Sequence, residues 1–186
     1  MKHTSQNPAP LLVKHLARLP QGKALDFACG YGRNASFLAS KGYAVKGFDR
    51  NEAAVAFCNE KAQKEALPFT AHYADLEKET PFTDKTFELV TCFYYLDRNI
   101  ITSLKQALKI GGVIVYETFL IDQHRQFGKP SRRAFCWEHN ELLRTFSDFR
   151  VLFYREGMID EKGNTVQVLS DAGGTWVAQL IAERMS

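Results

Sequence analysis

The chain has 186 residues, 45% hydrophobic and 24% charged, a length and balance that suit one domain with a sizeable core. Its net charge of +3 is too small to specify a nucleic-acid partner, and no apolar run approaches the roughly 18 residues a membrane helix needs. The opening MKHTSQNPAP has no apolar stretch after its charges, and the four cysteines are widely spaced without a CxxC pair. Free thiols, no metal and a cytoplasmic location are therefore expected.

In chain order, residues 1–20 end in a short amphipathic helix bracketed by Pro10 and Pro20. Residues 23–28 read as a first strand, and 33–41 as a helix stopped by Gly42. Residues 43–48 make a second strand, 52–66 a long Ala- and Lys/Glu-rich helix, and 69–73 a third strand. The nearly continuous apolar run 87–93 is a fourth strand. A helix over 100–109 ends at Gly111-Gly112, and 113–118 is a fifth strand. Strands alternating with helices at this spacing predict a parallel sheet covered on both faces. Beyond residue 137 the rhythm changes to a helix over 138–146 and strands over 149–155, 167–169 and 175–183. Late strands without an intervening helix predict an antiparallel pair on one edge. The fold class is doubly wound α/β, mostly parallel, in a single domain spanning 1–186.

Chemistry concentrates in Ala24-Leu-Asp-Phe-Ala-Cys-Gly-Tyr-Gly-Arg33 and at the ends of the next two strands. Ligands of open parallel sheets bind at the carboxyl ends of the strands. There Gly30 and Gly32 allow close approach to a bare backbone, and Asp49 and Asp75 end the second and third strands. Three acids and a glycine turn on one sheet edge suit an adenosine. Gly30-Tyr31-Gly32-Arg33-Asn34-Ala35 also satisfies the dinucleotide pattern G-x-G-x-x-G/A, but Asp26 inside the first strand would repel a pyrophosphate and suits a cationic ligand instead. Buried there, Asp26 requires a partner, an ammonium or backbone donors.

Asp26-Phe-Ala-Cys-Gly-Tyr-Gly-Arg33 resembles the glycine-rich first motif of class I S-adenosylmethionine-dependent methyltransferases, with Ala28 where a first glycine is usual. Asp49, Ala74-Asp75-Leu76, the strand starting at Phe87 and Leu108-Lys-Ile-Gly-Gly112 match further motifs in the same order. Within the class, Gly32-Arg33-Asn34 and Glu141-Leu142-Leu143 resemble tellurite-resistance-type and other small-molecule methyltransferases. The resemblance implies seven strands with an antiparallel last pair, and S-adenosylmethionine as the cofactor. It implies that Asp26 and the backbone of Ala28, Gly30 and Gly32 hold the methionine part. Asp49 would take the ribose hydroxyls with Arg50 beside the adenine, Asp75 and Leu76 would meet the adenine edge, and Phe93 would close over the methionine end.

The acceptor is less legible. Phe93-Tyr94-Tyr95-Leu96-Asp97 lacks the Asn/Asp-Pro-Pro-aromatic signature of amino-group methylation, and no Pro-Cys dipeptide supports pyrimidine C5 methylation. Cys29 and Cys92 read as small core residues. Tyr94, Glu117 and His124 are the candidate catalytic groups, and Tyr94, Tyr95 and Thr118, near the same strand ends, are substrate-binding candidates. The long connection 119–137 is basic: between Asp122 and Arg133, the cations Arg125, Lys129, Arg132 and Arg133 face one acid. That segment accounts for the chain's whole net charge and reads as a lid or binding loop, with Arg125, Arg132 and Arg133 as substrate-binding candidates. The expected activity is methyl transfer to a small, anionic or soft-nucleophile acceptor. An RNA or protein methyltransferase using the basic segment, a non-catalytic adenosyl-ligand module and a nicotinamide oxidoreductase remain alternatives.

Overall fold

The computed structural model describes residues 6–82, 84–166 and 173–186. Helix α1 (Pro10–His15) and a 3-10 turn (Leu16–Arg18) lead to β1 (Lys23–Phe27). There follow α2 (Arg33–Ser40), β2 (Ala44–Asp49), α3 (Glu52–Lys64), β3 (Phe69–Tyr73), β4 (Phe87–Phe93) and α4 (Ile101–Ala107). The chain ends with β5 (Leu108–Phe119), α5 (Ile121–Phe127), α6 (Glu141–Thr145), β6 (Phe149–Ile159) and β7 (Thr175–Arg184).

These strands form one seven-stranded sheet in the order β3-β2-β1-β4-β5-β7-β6. The first five run parallel, and β7 is inserted antiparallel between β5 and β6. The order reverses direction between β1 and β4, which opens a crevice above their carboxyl ends. The free edge of β3 is covered by one side chain, because Asn59 of α3 bonds both the N–H and the C=O of Ala71.

Alternation along the strands builds two cores. On one face Leu25, Phe27, Tyr116, Trp137, Phe146 and Leu180 pack together; on the other, Leu12, Leu38, Tyr43, Val115 and Ile181 pack under α1 and α2. Period-two spacing also puts Asp26, Thr91, Glu117 and Gln179 on this second face, all buried. They meet across strands as two pairs, Asp26 opposite Thr91 and Glu117 opposite Gln179.

Several expected boundaries move. The helix expected over 100–109 stops at Ala107, because Leu108 already pairs with Phe87 before a bulge restores the β4–β5 register at Val113. The helix expected over 138–146 begins at Glu141, since Asn140 holds a left-handed φ of 59° and the Glu138 N–H is capped by the Glu141 carboxylate. Strand β6 runs on to Ile159, past the expected 155. The strand expected over 167–169 lies outside the described residues.

The 119–137 connection is folded rather than open. It contains α5 and a 3-10 turn (Arg133–Phe135), and Leu120 bridges to Trp137. Trp137 and Ile121 are buried, and Trp176 on β7 donates its N–H to Gln123.

Candidate active site

A cleft of about 260 Å³ opens where β1 to β4 end. Ala28 and Phe93 form its floor, Asp49 and Arg50 one wall, the turn from Ala74 to Glu77 another, and Tyr94 and Tyr95 the side toward β5. Two of these residues hold left-handed backbone without being glycine: Ala28 at φ 54° and Tyr94 at φ 56°. Such conformations cost roughly 1–2 kcal/mol each and persist only where the surroundings hold them. Here the next hydrogen bonds do so. Cys29 N–H donates to the Phe48 carbonyl at 3.1 Å, and Tyr94 N–H donates to the Glu117 carbonyl at 2.8 Å. The chain thus turns sharply out of β1 and β4 while staying tied to the neighbouring strand.

The Gly30 turn is fastened to the second strand. Gly30 N–H donates to Asp49 Oδ2 at 2.7 Å, and Asn51 N–H donates to Oδ1 at 2.9 Å. A Cβ on Gly30, whose φ is 53°, would meet no heavy atom within 4 Å, so the backbone there is open to close approach. Asp75 pairs with Lys78 at 2.6 Å, and this ammonium holds its carboxyl below the ordinary range. Arg50 and Glu77 join at 3.2 Å on the wall beside it. The Tyr95 hydroxyl is buried and finds no partner among the described residues, while its ring packs edge-on against Phe27 at 5.3 Å. An orphan hydroxyl of this kind costs about 1–3 kcal/mol. A cleft with a bare glycine turn and two acids at strand ends has donors and acceptors that suit an adenosyl amino acid.

Behind Tyr94 lies a buried polar chain. The Tyr94 hydroxyl is hydrogen-bonded to Glu117, Gln179 Nε2 donates to Glu117 Oε2 at 2.5 Å, and Arg155 Nε donates to Gln179 Oε1 at 2.8 Å. Burial raises the Glu117 carboxyl; the bonds from Gln179 and Tyr94 and the charges of Arg33 and Arg155 offset part of that rise. The Tyr94 hydroxyl is raised too, first by burial and then by the Glu117 charge. Arg33 lies over the Tyr94 ring, 5.9 Å from its centre.

A larger groove of about 520 Å³ sits at the opposite, amino ends of the strands, between His15, Pro20, Val113, Leu152 and Ile181. Its lining includes Gly111 and Glu183, but Glu183 is paired with Arg150 and the groove lies away from the carboxyl ends of the parallel strands, where ligands of such sheets bind.

A family model described as tellurite resistance protein TehB matches residues 12–169. The chain belongs to the TehB family. A probable S-adenosyl-L-methionine-dependent methyltransferase TehB of Haemophilus influenzae is 31% identical over 157 residues, which cover 78% of this chain and 54% of the relative. The chain thus spans about half the length of the curated relatives it matches first. The crystal structure of TehB from Haemophilus influenzae superposes with a TM-score of 0.75 at 26% identity, covering 93% of this chain and 61% of that one. A geranyl diphosphate methyltransferase in complex with S-adenosylmethionine shares the fold at a TM-score of 0.70 and 16% identity, covering 95% and 84%. The seven-stranded, mostly parallel sheet with its antiparallel last pair is the fold of these TehB and methyltransferase structures.

Within this TehB frame the expected site residues separate into groups. Ala28, Asp49, Arg50, Asp75, Leu76, Phe93, Tyr94 and Tyr95 line the cleft, and Gly30 borders it through Asp49. Gly32 is the left-handed residue that starts α2, and its α-carbon packs toward Cys58 and Phe69. Asp26 lies one layer below. Its carboxylate accepts from Thr91 Oγ1 at 2.7 Å and from Ala35 N–H at 3.1 Å, so the partner its burial demands comes from β4 and the first turn of α2. Desolvation raises it to about 6 despite those bonds.

The arginines of 119–137 are engaged within the segment or by Glu138 just beyond it. Arg125 and Arg133 converge on Glu138 at 3.8 and 2.8 Å, Arg132 lies over Phe135, and His124 Nδ1 is 2.8 Å from the Pro130 carbonyl oxygen. Thr118 is buried opposite Ala178. Glu77, Thr91, Arg155 and Gln179 escape the sequence reading. Thr91 carries a signal, a lone hydroxyl in an apolar strand, but Gln179 and Arg155 reach Glu117 only through the β5–β7–β6 register.

Proposed function

We propose that this chain is an S-adenosylmethionine-dependent methyltransferase, acting on a small, anionic or soft-nucleophile acceptor. One observation carries the reading: a glycine turn tied to Asp49, with Asp75 on the next strand end, around a cleft whose lining is strained at Ala28 and Tyr94. The cofactor supplies a methyl group on a positively charged sulfur. Asp49 accepts the ribose hydroxyls with Arg50 beside the adenine. Asp75 and the Leu76 N–H meet the adenine edge. The 28–32 backbone takes the amino-acid end, and Phe93 covers it. Asp26 acts from beneath, fixing the first turn of α2 through Ala35.

The acceptor enters from the Tyr94 and Tyr95 side. Aligning acceptor, methyl and sulfur is the main task, and such positioning supplies about 7–11 kcal/mol in good cases. Where the acceptor carries a proton, Tyr94 takes it while passing its own to Glu117. The 119–137 segment starts at the β5 end, where Phe119 packs 5.1 Å from the Tyr94 ring, and we assign it as the outer wall of the acceptor side. Because Arg125 and Arg133 pair with Glu138, a small acceptor suits this wall better than a polyanion. We read 1–186 as one methyltransferase domain with α1 as its N-terminal helix. No helix of the described residues is long and apolar enough to cross a membrane, and all four cysteines are free thiols, which supports a cytoplasmic location.

The family's name points to tellurium oxyanions as the first acceptors to try. Release of S-adenosylhomocysteine, measured with tellurite, selenite and a panel of small thiols, tests the reading. Turnover with at least one is expected, and Glu117→Gln should lower it about 100-fold without changing cofactor affinity. Tight cofactor binding with no turnover across the panel would favour a non-catalytic adenosyl-ligand module.

A further inference from the structure

Beneath the Gly30 turn lies a pair of thiols that methyl transfer leaves without a task. Cys29 belongs to the turn itself, and Cys58 comes from the second turn of α3. Both sulfurs rest on one atom, the Gly30 carbonyl oxygen, at 3.8 Å for Cys29 and 3.4 Å for Cys58. Room for them is made by two absent side chains. A Cβ on Gly47 would stand 2.8 Å from Cys29 Sγ, and a Cβ on Gly32 would stand 2.7 Å from Cys58 Sγ. Gly32 needs glycine for its φ of 70° as well, but Gly47 sits mid-strand in ordinary extended backbone. Glycine weakens a strand interior, so its presence at 47 answers to close packing, here against Cys29 and the Phe69 ring.

We propose that Cys29 and Cys58 are an oxidisable pair that governs cofactor binding, closing to a disulfide under a two-electron oxidant of the peroxide class. The Cys58 thiolate attacks one peroxide oxygen, breaking the O–O bond and leaving a sulfenic acid with release of water. The Cys29 sulfur then displaces the sulfenic oxygen as a second water, giving the S–S bond. Two thiols lose two electrons and two protons, and one peroxide is reduced to two waters. The Cys58 thiol is the readier thiolate, because the neighbouring Cys29 sulfur lowers it while Cys29 itself is raised. Cys29 is 8% exposed and Cys58 1%, so a small oxidant reaches Cys58 by way of the Cys29 side of the turn.

A disulfide brings its sulfurs to about 2.05 Å, far inside non-bonded contact. Closing that gap draws Cys29 toward α3 and, with it, the Cys29–Gly30 peptide whose N–H is tied to Asp49. The Gly30 N–H then leaves Asp49, and the acid assigned to the ribose loses its place. This consequence rests on the cofactor reading above; the bond itself does not.

The test uses the full chain, reduced or treated with hydrogen peroxide, with remaining thiols then blocked. Peptide mass mapping should find a 29–58 linkage in the oxidised wild type that dithiothreitol removes. Calorimetric titration with S-adenosylhomocysteine should show affinity falling by about 10-fold or more on oxidation, the loss of one charge-assisted hydrogen bond, and returning on reduction. Cys58→Ser, or Cys58→Ala should the first fold poorly, should bind like the reduced wild type whether or not peroxide was added. Absence of the linkage would overturn the pair. A linkage with unchanged affinity, or an equal loss in the Cys58 variants, would overturn its control of binding. Reduced protein that does not bind S-adenosylhomocysteine would overturn the cofactor reading and, with it, the control of binding, while mass mapping would still decide the pair.

Discussion

On the β1–β4 side of the sheet the polar groups that line the cleft sit at strand ends and in the turns beyond them, with the Asp26–Thr91 pair buried beneath; on the β5–β7 side they sit inside the strands and bond across them. Gly30, Asp49 and Asp75 belong to the first kind, and each is reached within a few residues of a strand end. Glu117, Gln179 and Arg155 belong to the second, and they meet only because β7 is inserted antiparallel beside β5. The first arrangement offers backbone and carboxylates to a ligand common to many enzymes. The second is a closed chain of partners with one member, Tyr94, at the cleft, as suits an acceptor side specific to this chain. Cofactor and acceptor functions should therefore be separable by substitution.

The most disruptive way to test that separation is Trp137→Ala. Trp137 anchors the outer wall under α5, packed on Tyr116 and covered by Arg98. Its removal should cost about 3–5 kcal/mol in urea unfolding while leaving S-adenosylhomocysteine affinity unchanged under folding conditions. A parallel fall in affinity would mean that the two sides are not independent.

Asp26 provides the next largest effect, on the cofactor side. It titrates at about 6 when folded against an ordinary 3.8, because burial outweighs its bonds to Thr91 and Ala35. The folded state holds that proton more tightly, so the contribution is full below about pH 4 and is lost as pH rises through 6. Asn fits the site: its oxygen accepts from Ala35, its amide donates to Thr91, and Thr91 turns to the Leu25 carbonyl it already approaches at 3.3 Å. Relative to wild type, Asp26→Asn should gain on the order of 2–3 kcal/mol in unfolding free energy between pH 4 and pH 8. An equal difference at both pH values would show that Asp26 does not titrate in this window.

Asp49→Ala should weaken S-adenosylhomocysteine binding by about 1–3 kcal/mol, since it removes both the ribose acceptor and the tether of Gly30. Unchanged affinity by calorimetry would take Asp49 out of the site. The smallest expected effect is Ala28→Gly. Relieving the left-handed φ of 54° should stabilise the fold by up to about 1 kcal/mol, read as a rise in the urea midpoint, and leave affinity within two-fold. A loss of stability would show that the Ala28 methyl contributes packing greater than its strain.

The same contrast explains what is legible in the sequence. The first three strands, the glycine turn and the strand-end acids are written in short local patterns, and even the departure at Ala28 marks a strained position. Asp26 reads as buried and in need of a partner, but that partner is Thr91, a cross-strand neighbour 65 residues away. Boundaries fail where long-range pairing overrides local propensity, as at Leu108, drawn into β5 by Phe87. The basic 119–137 segment looks free in sequence because Glu138, which gathers two of its arginines, lies just beyond it. Cys29 and Cys58 cannot be paired by spacing, since only the packing of α3 on the glycine turn brings their sulfurs onto one carbonyl.

The central claim is that the cleft above β1 to β4 binds an adenosyl amino acid. Calorimetric titration of the reduced protein with S-adenosylhomocysteine, with NADH as the comparison ligand, tests it most directly. The account predicts micromolar binding of the first and none of the second. Binding of NADH alone would contradict it, because the Gly30 turn would then be serving a pyrophosphate above a carboxylate that should repel one.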